Sequence, residues 1–320
     1  MIMKKLIFKT LSYFILTIIF LEIIVRIFHI YPELPVFVIN KDNVKTYAPN
    51  QEGYHIVGNR RMNFTEYRIN KSGYNSYQEF TPTKDKTEIA IIGDSFIDGL
   101  HQNYYNSIGK KIETKLNDGT KVFEYGHSGY DLADQLHLMA VYKEQFDLID
   151  YSIIYLKFDN DIKRDTYVPD QYWIDSQYFL TSRLARKIKL LSYLNSIGAF
   201  EPLRNLKRHF VSMAKPENKI NHKENAEANK KNAAKYLKNF KTLINTYGFD
   251  KNKTAFLLDK SKTSEAFLNY CDTMGYKYID YSETFNNSKK PNTLIYDMHW
   301  NNYGRTLIAD VIVNYINKQK

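Results

Sequence analysis

Cysteine is almost missing from this chain: Cys271 is the single thiol in 320 residues, so an internal disulfide framework and a cysteine-ligated zinc site are both excluded. The redox compartment stays open. Nucleic-acid signatures are missing too. No basic helix-turn-helix, zinc-finger or RNA-binding pattern accompanies the excess of 45 Lys+Arg over 35 Asp+Glu, so no nucleic-acid partner is expected. Abundant Lys, Asn, Ile, Tyr and Phe read as a compositional bias. Internal repeats are lacking, and one long apolar run is too few for a multi-span membrane protein. A phosphate-binding loop is excluded as well, because Gly93 to Gly99 lacks the Gly-Lys-Ser/Thr ending that places a lysine on phosphate. With 43% hydrophobic and 25% charged residues, the chain has the make-up of one main globular domain with appendages.

The apolar run lies at the N-terminus. Lys4, Lys5 and Lys9 precede Leu11 to Leu21, and the run resumes beyond Glu22 as far as Phe28. A helix over 6–30 would extend about 37 Å, enough to cross a hydrocarbon core of about 30 Å. Glu22 and Arg26 stand four apart on one face and can pair with each other near the far end. The following Ile30-Tyr31-Pro32-Glu33-Leu34-Pro35 has neither small residues for processing nor a cysteine for lipidation. Residues 1–35 therefore read as a cytoplasmic stub and uncleaved single-pass anchor. Lysines ahead of the span put the N-terminus in the cytoplasm and the rest of the chain outside it. The competing reading is a buried amphipathic helix of a cytosolic protein.

Residues 36–86 are polar and rich in Asn, Tyr and Gly, an irregular lead-in with short strands. The pattern then changes. Apolar, β-branched or aromatic runs at 88–92, 121–125, 152–157, 254–258 and 277–281 alternate with helical stretches near 104–117, 131–146, 181–247, 262–274 and 302–316. This predicts an α/β domain over 87–320 with a five-stranded parallel sheet covered on both faces. Nearly one hundred residues separate the third and fourth strands, so a helical insertion is expected at about 165–222.

The first strand runs into Gly93-Asp94-Ser95-Phe96. A serine just past a strand, before a helix, sits where an open α/β sheet binds ligands. Alone, such a serine is equally a helix cap. Three further motifs follow other strands: Gly126-His127-Ser128-Gly129, Phe158-Asp159-Asn160-Asp161 and Asp297-Met298-His299-Trp300-Asn301. All these strand ends share one edge of a parallel sheet, so Ser95, Gly129, Asn160 and His299 are expected to converge. A hydroxyl, a backbone N–H, an amide and an imidazole are the parts of an acyl-transfer site. Ser128 beside His127 is a rival nucleophile, yet Tyr130 stands where Gly-x-Ser-x-Gly needs glycine; Ser128 reads as a turn residue. No second His or carboxylate lies at metal-ligand spacing beside Asp297 and His299, so neither metal nor cofactor is expected. Trp300, Tyr130 and Trp173 are candidates for a sugar platform or for ordinary packing.

Together these blocks resemble the SGNH (GDSL-like) hydrolase superfamily. Gly93-Asp94-Ser95-Phe96 matches its nucleophile block, Ser128-Gly129 the glycine, Asn160-Asp161 the asparagine, and Asp297-Met298-His299 the final acid and base. The lead-in Ile69-Asn70-Lys71-Ser72-Gly73-Tyr74 is similar to that of membrane-anchored members, and the resemblance spans about 65–318. It implies a flavodoxin-like three-layer fold, Ser95 as nucleophile, His299 as base and Asp297 as the acid that orients it. The oxyanion hole would comprise the N–H groups of Ser95 and Gly129 with the Asn160 amide. Two positions depart from the family: Phe158 replaces a glycine, and Asp297 lies two rather than three residues before His299. Some extracytoplasmic members acting on polysaccharide acetyl groups share that shorter spacing. The expected function is a membrane-anchored serine esterase or O-acyltransferase acting on O-acyl groups, chiefly O-acetyl, of a cell-envelope or secreted glycan. Two alternatives stand beside it: an inactive glycan- or partner-binding module of the same fold, and a lipid esterase whose basic, partly apolar insertion faces the bilayer. Oligomeric state is not legible.

Overall fold

Side chains alternate between the two faces of a strand, so a continuously apolar run can serve two hydrophobic layers at once. Five such runs build the central sheet. The computed structural model describes residues 2–57, 61–202, 205 and 226–320. The chain begins with helix α1 (Ile2–Ile27) and passes through two small two-stranded sheets, β1 (Phe37–Ile39) with β2 (Lys45–Tyr47) and β3 (Glu52–Val57) with β4 (Asn63–Arg68). Strands β5 (Glu88–Gly93), β6 (Lys121–Gly126), β7 (Tyr151–Tyr155), β8 (Thr254–Leu258) and β9 (Lys277–Asp280) follow. Their spatial order is β6-β5-β7-β8-β9, with every pairing parallel. This is a flavodoxin-like winding. The order reverses between β5 and β7, the place where open α/β sheets bind ligands beyond the carboxyl ends of their strands.

The chain forms two compact units, Pro35–Gly53, Thr65–Asp170 and Lys223–Lys320 making up the larger. Its helices are α2 (Ser95–Asp98), α3 (Ile108–Leu116), α4 (Leu132–Val141), α5 (Lys143–Leu148) and α6 (Phe158–Asp161) before the insertion. The smaller unit contributes α7 (Gln171–Ser176), α8 (Leu180–Lys187) and α9 (Lys189–Ser196); the larger resumes with α10 (Ala226–Tyr247), α11 (Glu265–Met274), α12 (Ser282–Asn286) and α13 (Asn302–Gln319). Ala90, Ile92, Phe123, Ile154 and Phe256 face one layer, packing with Leu136 of α4, Phe240 of α10 and Phe267 of α11. Their neighbours Ile89, Ile91, Val122, Ile153 and Leu257 face the other, against Ile112 of α3 and Ile308 and Ile312 of α13. At about 1.5–3 kcal/mol for each fully buried large side chain, these two layers supply the main stabilisation of the sheet.

The smaller unit comprises Met1–Leu34, Tyr54–Phe64 and Gln171–His222. Its residues Met3–Ile27 form a helix long and apolar enough to cross a membrane. Leu6, Phe8, Phe14, Leu16 and Phe20 are all exposed along it. The helical stretch expected at 181–247 is broken after Lys187, where α9 starts afresh at Lys189. The part of that stretch at 203–204 and 206–225 lies outside the described residues.

Candidate active site

The turn that carries Ser95 is built by its own sequence. Asp94 takes an extended conformation and its side chain accepts from the Phe96 N–H at 3.0 Å, capping α2 so that Ser95 becomes its first residue. The Asp94 carboxylate also pairs with the Lys157 ammonium, which ties the end of β5 to the residues after β7 across the switch point. Close packing of α2 over β6 depends on Gly126. A Cβ there would stand 2.1 Å from the Asp98 backbone nitrogen, so only glycine lets α2 cross the strand end.

Ser95 Oγ lies 2.7 Å from His299 Nε2, and His299 Nδ1 lies 2.5 Å from Asp297 Oδ1. The same carboxylate oxygen accepts the His299 backbone N–H at 2.9 Å. The two-residue spacing explains this: it forms a tight turn in which one oxygen holds both the backbone and the ring of the histidine. Burial opposes ionisation of Asp297, but the His299 N–H groups and the neighbouring His101 outweigh it and hold the carboxyl below its usual range. His101 was not legible as a site residue. It stacks on the His299 ring at 4.3 Å and 24°, with Phe96 packing at 4.6 Å. His101, Asp297 and His299 bring their ligand atoms within 4.8 Å of one another, a grouping that sequence spacing missed because His101 comes from the loop after α2. Both ring nitrogens of His299 are already engaged by Asp297 and Ser95, so a metal here would displace that relay.

Gly129 adopts a left-handed φ of 78° in the turn after β6, and its carbonyl accepts from Lys45 Nζ at 3.2 Å. The turn is held from beneath. Ser128 Oγ and Tyr47 OH each donate to Asp98 Oδ2 at 2.7 Å. Burial pushes the Asp98 carboxyl up to about 7, against the opposing effect of those hydrogen bonds and of the buried Arg305 charge. His127 is stacked between Tyr47 at 4.3 Å and Tyr130 at 4.9 Å, and burial pushes its imidazole down to about 3. It is therefore a neutral packing group, and the Ser128 hydroxyl is committed to Asp98; neither serves the other as a nucleophile and base. Among the described residues, no protein acceptor takes the backbone N–H of Ser95 or Gly129.

Asn160 is exposed at the end of α6. Its amide donates to Asp161 Oδ1 at 3.0 Å and its oxygen accepts from Lys163 at 3.2 Å, which leaves the second amide hydrogen for a ligand. Phe158 turns into the core against Phe267 at 5.2 Å and Tyr236 at 5.7 Å. Tyr130 and Trp300 are buried as well, so packing explains them better than an exposed platform does. A cavity of about 480 Å³ adjoins the site, lined by Phe96, Lys157, Asn160, Thr293, Met298 and Trp300 among others.

No protein-family model matches the chain, and neither does any curated protein. Among solved structures it is similar to a lipase/acylhydrolase from Enterococcus faecalis, at 13% identity over 73% of this chain and 96% of that one, with a TM-score of 0.42. A lipase from a goat rumen metagenome is 13% identical over 71% of this chain and 96% of that one, with a TM-score of 0.41. A psychrotrophic esterase from Pseudoalteromonas sp. is 11% identical over 73% of this chain and 98% of that one, with a TM-score of 0.40.

Proposed function

We propose that this chain is a serine esterase or acyltransferase of the SGNH type, with Ser95 as nucleophile, His299 as general base and Asp297 as its orienting acid. The observation that carries the reading is the unbroken hydrogen-bonded line from Asp297 through His299 to Ser95. Ser95 Oγ attacks an ester carbonyl while His299 Nε2 takes its proton; the tetrahedral oxyanion is held by the Ser95 and Gly129 N–H groups and the Asn160 amide. On collapse His299 returns the proton to the leaving alcohol, and Ser95 is left acylated. Water entering next gives hydrolysis, and a sugar hydroxyl gives transfer.

The substrate we propose is an O-acyl group, chiefly O-acetyl, on a cell-envelope or secreted glycan. Supporting this are the polar and aromatic lining of the adjoining cavity and the apolar helix Met3–Ile27, which as a single-pass anchor with a cytoplasmic N-terminus holds the catalytic unit outside the cytoplasm. The test is turnover of p-nitrophenyl acetate by the full chain in detergent. Ser95→Ala lowers kcat by about 10³-fold or more, and a fluorophosphonate labels Ser95 in the unmutated protein. Unchanged turnover by Ser95→Ala removes the nucleophile assignment. Failure of the label, together with glycan binding by the same preparation, replaces the enzyme with a binding module.

A further inference from the structure

Helices α7–α9 present a surface that ester chemistry does not use. Leu180 and Leu184 of α8 are 70% and 41% exposed, with Ile188 just past its end also exposed; spaced four apart, they form one stripe. Exposed Tyr172 and Phe179 extend it, their rings meeting edge to face at 6.2 Å. At a helical 100° per residue, Arg183 and Lys187, both exposed, flank this stripe.

The junction between α8 and α9 is fastened to the last turns of α1. Glu22 caps α9, accepting from the backbone N–H of Lys189 at 3.0 Å and of Leu190 at 2.7 Å. Arg26 pairs with Glu22 at 2.7 Å and donates to the Lys187 carbonyl at 2.6 Å. Val25, Tyr31 and Leu190 are buried together beside these bonds. From Glu22 to the end of α1 at Ile27 the rise is only about 7.5 Å. A helix that crosses a bilayer therefore delivers this junction to headgroup depth.

We propose that α7–α9 is a second, monotopic contact with the bilayer that α1 crosses. Leu180, Leu184 and the neighbouring aromatic rings enter the acyl boundary, while Arg183 and Lys187 meet anionic headgroups. Lipid is the favoured occupant over a protein because this surface is fastened to the exposed apolar helix and carries basic groups along its margin. The proposal rests on the anchor reading of α1, and the experiment separates the two.

The full chain is reconstituted in phosphatidylcholine vesicles with and without phosphatidylglycerol, bearing an environment-sensitive fluorophore at Ile15→Cys or Leu180→Cys; Cys271 is buried and escapes labelling. The probe at 15 is expected to be quenched by nitroxides deep in the acyl chains, and the probe at 180 by nitroxides near the headgroups. Quenching at 15 with a water-exposed probe at 180 overturns the interfacial contact alone. Water-exposed probes at both positions overturn the anchor and this proposal together. Arg183→Glu with Lys187→Glu is expected to lower the docked-to-undocked ratio at 180 by about fivefold per charge in phosphatidylglycerol vesicles. No change there overturns the headgroup assignment.

Discussion

Asp297→Asn separates two contributions that the acid makes to the proposed triad. One oxygen of Asp297 accepts both the His299 ring at 2.5 Å and the His299 backbone N–H at 2.9 Å. An amide oxygen in the same place can accept both, so the ring keeps its orientation; what disappears is the negative charge beside the imidazolium that forms during attack. Unit charges about 4 Å apart in an effective dielectric of about 20 interact by about 4 kcal/mol. The Asp297 side chain is 28% exposed, and solvent screening reduces that figure toward about 2 kcal/mol. At 1.36 kcal/mol per decade, kcat/KM should fall by between about 30-fold and 1,000-fold. Asp297→Ala also removes the orienting contact and should lose about a further tenfold. The assay is p-nitrophenyl acetate turnover, with thermal melts confirming that each variant is folded. An asparagine variant within about threefold of the parent, about half a decade in rate, refutes the assignment of Asp297. A loss equal to that of Asp297→Ala refutes the claim that orientation survives the substitution.

Asn160→Ala removes one proposed oxyanion donor and should lower kcat by about 10²–10³-fold; an unchanged kcat would show that the amide held by Asp161 never turns to substrate. Gly126→Ala forces a Cβ to 2.1 Å from the Asp98 backbone, with destabilisation of more than about 3 kcal/mol expected in urea melts, and a parent-like midpoint would mean that α2 packs elsewhere. Asp98 has its folded-state pKa raised from 3.8 to about 7, so its contribution to stability is fully present below about pH 4 and is lost as pH rises through about 7. Asp98→Asn keeps an oxygen for Ser128 and Tyr47 but does not titrate. The melting temperature of Asp98→Asn relative to the parent should therefore rise between those pH values, and a flat difference contradicts the buried-carboxyl account.

Strand positions were legible because parallel strands buried on both faces leave continuous apolar runs, and 88–92, 121–125 and 254–258 needed at most one residue of adjustment. The sheet edge was legible for the same reason where a motif closes a strand, as at Ser95, Gly129 and Asn160 after β5, β6 and β7; Asp297 and His299 come later, in the loop beyond α12. His101, Asp98 and Lys157 were not. Their roles depend on contacts with residues distant in sequence, His101 stacking on His299 and Asp98 receiving Ser128 and Tyr47, and no periodicity marks such partners. A histidine in the loop just after α2 was the one available signal for His101. The break between α8 and α9 was equally hidden, since the cap on α9 is Glu22, from the opposite end of the sequence.

Asp98 joins the proposed nucleophile to the proposed oxyanion donors. It lies on α2 with Ser95, one turn on, while its carboxylate holds Ser128, the residue before Gly129. The Gly129 carbonyl is held in turn by Lys45. The N–H groups of Ser95 and Gly129 thus belong to one interlocked structure, fixed by a buried carboxylate and by glycine at 126. Donors held in this way need little reorganisation as charge develops on the substrate oxygen, and that is the condition under which an oxyanion hole is most effective. Loosening the lock without touching either donor should therefore cost kcat more than KM. Ser128→Ala, which removes the hydroxyl from Asp98, makes the comparison: a loss confined to KM would place the role of Asp98 in substrate binding instead.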